Sequence, residues 1–156
     1  KEGVSRSDFN ASENDDVLVR GVSADPNALG FFGLAYYLEN QDRLRVVPVD
    51  DLDPSNGVGP VEPTASSVRD GAYQPLSRPV FLYVSTEAAR TATVASFVDF
   101  YLQAGPELVE QVGYVPLDEA AYRHVRRRFA SRTEGSMFDG TASLVGLEVE
   151  RILGAR

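Results

Sequence analysis

Ser5-Arg6-Ser7-Asp8 places a guanidinium, a carboxylate and two hydroxyls side by side along the chain. That set suits a tetrahedral oxyanion. An arginine offers paired N–H donors and stays charged at any relevant pH, and a serine hydroxyl adds a further donor. Asp8 can orient Arg6, or it can accept the O–H of a protonated oxyanion and so select against a fully ionised one. The other reading is a surface loop whose Ser and Asp residues merely precede a helix. Both stay open from the residues alone.

Other constellations point less sharply. Asp51, Asp53, Ser55 and Glu62 stand at the first, third, fifth and twelfth positions of a calcium loop. Asn56 replaces the required glycine and Pro60 interrupts the run, so a solvated acidic turn is expected and no metal site. Arg123, His124, Arg126, Arg127 and Arg128 cluster near the end of a helical pattern, where the helix dipole favours cations. A solvated basic face is the expectation; contact with an acidic partner is the alternative. His124 is the single histidine, which leaves no second imidazole for a dyad or a multi-histidine metal site. Nucleophile elbows, Walker loops and dinucleotide fingerprints are missing. The chain reads as a binding protein without cofactor, not as an enzyme.

Composition sets wider bounds. The 156 residues are 43% hydrophobic, enough for one ordinary domain with a core. A net charge of -8 argues against nucleic-acid binding but leaves room for a buried anion held by backbone N–H groups and one arginine. Cysteine is absent, which excludes disulfides and thiolate metal sites. Lys1 is the one lysine against fourteen arginines, a bias that fits genome composition or a use of arginine at ion pairs. Lys1 is also an improbable native start; removal of a leader or proteolytic nicking would each account for it. No apolar run reaches the length of a transmembrane helix.

The elements that must position these groups follow from pattern. Ser12 should cap a helix over 13–22, with Asp15 as a short capping-box partner and Val17, Leu18 and Val22 inward. Leu29 to Phe32 reads as a short buried strand, with Gly30 and Gly33 allowing close approach or a bend. A helix over 34–40 and a strand over 44–49 follow, then a loop over 50–63. Thr64 should cap a short helix through Val68 that Gly71 stops. Pro79 to Val84 is a continuous apolar run, the mark of a strand covered on both faces. Helices are expected over 91–102, 106–112 and 117–130. The first carries Val94, Phe97, Val98, Tyr101 and Leu102 inward; the last carries Leu117, Ala121, Val125 and Phe129. Residues 135–146 look irregular, and 147–153 fit a strand or a frayed helix equally well. Alternating strands and helices make this an α/β protein, with too few strands for its helices.

Four blocks in order, SRSDFNASENDDVLVRGV, NALGFFGLAYYLEN, YQPLSRPVFLYV and GSMFDGTASLVGLEVERIL, cover nearly the whole chain. Together they resemble the substrate-binding protein of high-affinity phosphate ABC importers. The resemblance implies part of a two-lobed periplasmic-binding-protein fold, with α/β lobes joined by a hinge and phosphate in the cleft. The family's Ser-Gly-Thr turn, which opens a helix onto the anion, has no counterpart here. The expectation is therefore the C-terminal half alone, with the N-terminal half absent. Residues 1–75 would end the second lobe, and 76–156 would supply the crossover strand and the C-terminal part of the first. Implied ligand contacts are Arg6, Asp8, Ser5 and Ser7. Implied partners are inorganic phosphate, the missing N-terminal half (possibly a second chain) and a membrane permease, at a periplasmic or extracellular location. Arg78 in Ser77-Arg78-Pro79 is expected to pair with a carboxylate near the hinge, and Phe31, Phe32, Tyr36 and Tyr37 to join the core or wall the cleft. Another oxyanion or small organic acid as ligand, or a non-binding structural protein built on half the fold, are the alternatives.

Overall fold

The computed structural model describes residues 7–54 and 57–136. The expected segments 137–153 lie outside the described residues. Contacts divide the chain into two compact units, Lys1–Val46 and Val47–Arg156.

In the first unit, α1 spans Asp15–Ala24 and α2 spans Leu34–Leu38. The helix starts later than the Ser12 cap implies. Asn14 is the N-cap, its side chain accepting from the Asp16 N–H at 3.0 Å. Ser12 instead accepts from the Asn14 N–H at 3.0 Å and so steadies the cap. Asn and Ser are comparable caps, so neighbouring candidates leave the exact start open to local geometry. Asp15 does not close a capping box. Its Oδ2 accepts from the Gly33 N–H at 3.4 Å and so ties α1 to the start of α2. Gly30 is where the chain passes closest to α1: a Cβ there would lie 2.5 Å from Val22 Cγ2 and 2.8 Å from Phe32 Cε1. Among the described residues of this unit, Val19 is the buried hydrophobic one.

The second unit opens with an antiparallel bridge, Val49 to Val61, which closes the acidic loop. Thr64 caps α3, Ala65–Arg69, as expected, with Ser67 completing a capping box, and Gly71 follows at φ 72°. A 3-10 turn, Ala88–Arg90, leads into α4, Ala92–Gln111, and α5 spans Glu119–Ala130. Thr91 joins the turn to α4, donating to the Ala88 carbonyl and accepting from the Val94 N–H. Asp118 caps α5 through the Ala121 N–H.

The pattern predicts two helices where α4 runs unbroken through Pro106. Proline removes one backbone hydrogen bond and crowds the preceding turn, yet the flanking turns are held by packing: Val98, Leu102 and Gly105 are buried on one face of α4. Gly105 lets α5 come close, a Cβ at this position lying 3.0 Å from Tyr122 Cε1. Ala89 and Ala121 complete the buried apolar set among the described residues of this unit.

Among the described residues no strand forms. The segments 29–32, 44–49 and 79–84 carry no β-ladder there, apart from the bridge at Val49. A strand exists only beside a hydrogen-bonded neighbour, and sequence pattern reports apolar character, not the neighbour. The α/β expectation is therefore met in its helices and not in its sheet.

Candidate anion-binding site

Ser7 and Asp8 lie exposed in a bend ahead of α1, while Ser5 and Arg6 lie outside the described residues. The N-terminus of α1 is not an open anion cradle. Asn14 takes the Asp16 N–H, and Asp15 and Asp16 put two carboxylates in the first turn, where they already oppose the dipole.

The remaining candidates disperse. Phe31 is 66% exposed and not core, whereas Phe32, Tyr36 and Tyr37 are half-buried. Phe32 packs against Gly30, and the Tyr36 carbonyl accepts from Asn40 Nδ2 at 2.8 Å. Phe31 and Phe32 precede α2, and Tyr36 and Tyr37 lie within it. Arg78 is exposed and forms no ion pair among the described residues, so the expected carboxylate partner is not found there. In the acidic loop, Asp50 and Asp51 accept from the N–H groups of Leu52 and Asp53, which folds the loop on its own side chains. Ser55 lies outside the described residues, and among the described residues no group of three or more potential ligands could hold a metal.

Two members of the basic cluster on α5, Arg123 and Arg128, have local partners. Arg123 pairs with Glu119 one turn back at 2.7 Å, with both side chains exposed. Such an exposed pair contributes only a few tenths of a kcal/mol, about 0.3–0.5 for this spacing. Arg128 Nη2 donates to the carbonyls of Glu134 and Gly135, at 3.1 and 2.6 Å, closing the segment after the helix.

Two buried polar atoms escape sequence reasoning. Gln74 is 5% exposed, and its Oε1 has no hydrogen-bond partner; nor has the buried Ser77 Oγ. Their neighbours Tyr73 and Pro75 give an apolar flavour to the segment, but no periodicity marks a buried amide. Burial also raises the Tyr73 phenol above its ordinary pKa.

Comparison with known proteins decides what these parts belong to. The chain is 47% identical to the protein SphX of Synechococcus elongatus over 150 residues, which is 96% of this chain and 43% of that protein. It is 34% identical to the phosphate-binding protein PstS of Staphylococcus aureus over 125 residues, 78% of this chain and 37% of PstS. The chain is homologous to part of each of these proteins. No family model matches it. A solved structure, described as a possible phosphate binding protein from Planctomyces limnophilus, agrees with a TM-score of 0.64 at 37% identity, over 83% of this chain and 45% of the other. That likeness is consistent with a periplasmic-binding-protein fold. The chain spans less than half the length of these relatives. Among the described residues no helix is long and apolar enough to cross a membrane.

Proposed function

We propose that this chain is the C-terminal half of a phosphate-capture protein that binds inorganic phosphate between two lobes and delivers it to an ABC permease, at a periplasmic or cell-surface location. In this reading residues 1–75 end the second lobe and 76–156 return to the first. Hinge closure around a desolvated anion would do the work, with no bond made or broken. The observation that carries the reading is identity to SphX over 96% of the chain and to a named phosphate-binding protein over 78% of it. Arg6 would supply paired donors, Ser5 and Ser7 hydroxyls, and Asp8 an acceptor for a protonated phosphate.

The test is calorimetric. Joined to the part of the Synechococcus relative that it does not match, the chain should bind phosphate with a Kd well below about 1 mM. Arg6→Ala should weaken binding by roughly 10- to 100-fold, the worth of a charge-assisted contact. Sulfate, which carries no proton at neutral pH, should compete poorly, and Asp8→Asn should narrow that gap. A well-folded joined protein with no response to millimolar phosphate would defeat the proposal, and equal competition by sulfate would favour a different oxyanion.

A further inference from the structure

Helix α4 carries two apolar rows, and only one is buried among the described residues. Val94, Val98, Leu102, Gly105 and Val109 form the inner row. Val98 and Leu102 are buried at 3% and 7% exposure, and among the described residues the Ala88–Arg90 turn and α5 are the elements that pack on α4. One residue back along the helix runs a second row at the same three-and-four spacing: Phe97, Tyr101, Ala104 and Leu108, with Phe100 at its flank. Phe97 is 59% exposed, Phe100 60%, Tyr101 41% and Leu108 42%. The Phe97 and Tyr101 rings lie tilted at 39° to each other, 6.3 Å between centroids. From Phe97 to Leu108 the row spans roughly 16 Å at the helical rise. Scattered apolar side chains on a surface need no explanation; an aromatic row along three turns of one helix does.

What covers it follows from length. The helix belongs to a chain whose identity with SphX runs over 96% of its residues, yet that match takes up only 43% of SphX. More than half of such a relative is therefore available to pack on what this portion leaves open. Helices of layered α/β domains bury one face on a sheet and a flank on neighbouring helices. We infer that the Phe97–Phe100–Tyr101–Leu108 row of α4 is the docking surface for an apolar face of the remaining part of the fold, the part this chain does not span. The inference rests on the reading above only in taking the chain as a portion of a longer protein; it does not require that the ligand be phosphate.

The absence of cysteine makes the test direct. Phe100→Cys and Leu108→Cys report on the row, and Gln103→Cys, on the exposed polar side of α4, is the control. Each is reacted with a maleimide twice: in this chain alone, at a concentration where sedimentation shows a monomer, and in the protein joined to the unmatched part of the Synechococcus relative, freed of cysteine. Circular dichroism checks each variant for helix. The expected result is rapid labelling at all three positions in the chain alone, and about tenfold or greater protection at 100 and 108, but not at 103, in the joined protein. Equal labelling at 100, 103 and 108 in a folded joined protein overturns the inference. So does protection in the monomeric chain, which would mean that the chain covers the row itself. A chain that cannot be held monomeric and protects the row by self-association also overturns it, in favour of a second copy. Phosphate titration of the same joined protein separates the two readings: a protected row without phosphate binding would sink the ligand assignment and leave the docking surface standing.

Discussion

Single residues in this chain reveal which close approaches hold it. Gly30 and Gly33 look equivalent in sequence, three positions apart in one aromatic stretch. In the structure they differ. A methyl on Gly30 would meet Val22 Cγ2 at 2.5 Å, whereas one on Gly33 would find nothing nearer than Asp15 Oδ2 at 3.6 Å. Gly30→Ala should cost about 1–3 kcal/mol as an overpacked contact, and Gly33→Ala far less; chemical denaturation of the two variants makes the comparison. Tyr122 offers a pH handle. Desolvation by burial, with a smaller contribution from Tyr101, raises its phenol above the ordinary value. The unfolded tyrosine ionises near pH 10, while the folded one resists. Its contribution is therefore complete below about pH 10 and is lost as pH rises toward the folded value. Tyr122→Phe should flatten the alkaline loss of stability, measured as the denaturation midpoint between neutral and strongly alkaline pH. An unchanged slope would place the ionising group elsewhere. The candidate anion contacts rest at this scale on chemical type alone: four adjacent residues carry groups suited to an oxyanion, but adjacency says nothing of where the side chains converge.

At the scale of elements, the sequence announces helices better than their ends. Thr64 caps α3 as expected, but Asn14 displaces Ser12 as the cap of α1, and Thr91 and Asp118 are caps where the pattern puts helical residues; the extent of α5 is close to what forms. The break expected at Pro106 does not occur, because propensity is a local preference and α4 is held by contacts that Val98, Leu102 and Gly105 make along its length. The Gly105–Tyr122 approach, with 3.0 Å between a methyl placed on Gly105 and the ring, is the seam of the α4–α5 pair. Glycine to alanine in a helix interior ordinarily stabilises by about 1 kcal/mol. Here Gly105→Ala should stabilise less than that or destabilise, and in a Tyr122→Ala background the ordinary gain should return. A double-mutant cycle reads the difference as a coupling energy; additivity of the two changes would show that the seam does not constrain the pair. The buried amide of Gln74 belongs to this scale too. Its burial comes from the loop that follows α3, which no periodicity encodes.

For the whole molecule, the apolar side chains outnumber the places this chain has to bury them. Val19, Ala89, Val98, Leu102 and Ala121 are its buried hydrophobic residues among those described, while Phe31, Val80, Tyr83 and Phe97 are all more than half exposed. The sequence declared the apolar runs correctly and could not declare what lies across from them, since that partner is not written in the same residues. The α4–α5 pair is the exception, because both partners are in the chain and residues 112–118 alone separate them. That proximity has a temporal consequence. Contacts close in sequence have little loop entropy to overcome and form early, so the helical pair should assemble ahead of anything that waits for a distant strand. In the joined protein, stopped-flow refolding should show helix gained in a fast phase that Val98→Ala slows, followed by a slower phase that Val98→Ala leaves alone. A single phase with equal sensitivity throughout would mean that the pair has no head start, and that the molecule commits to its shape all at once.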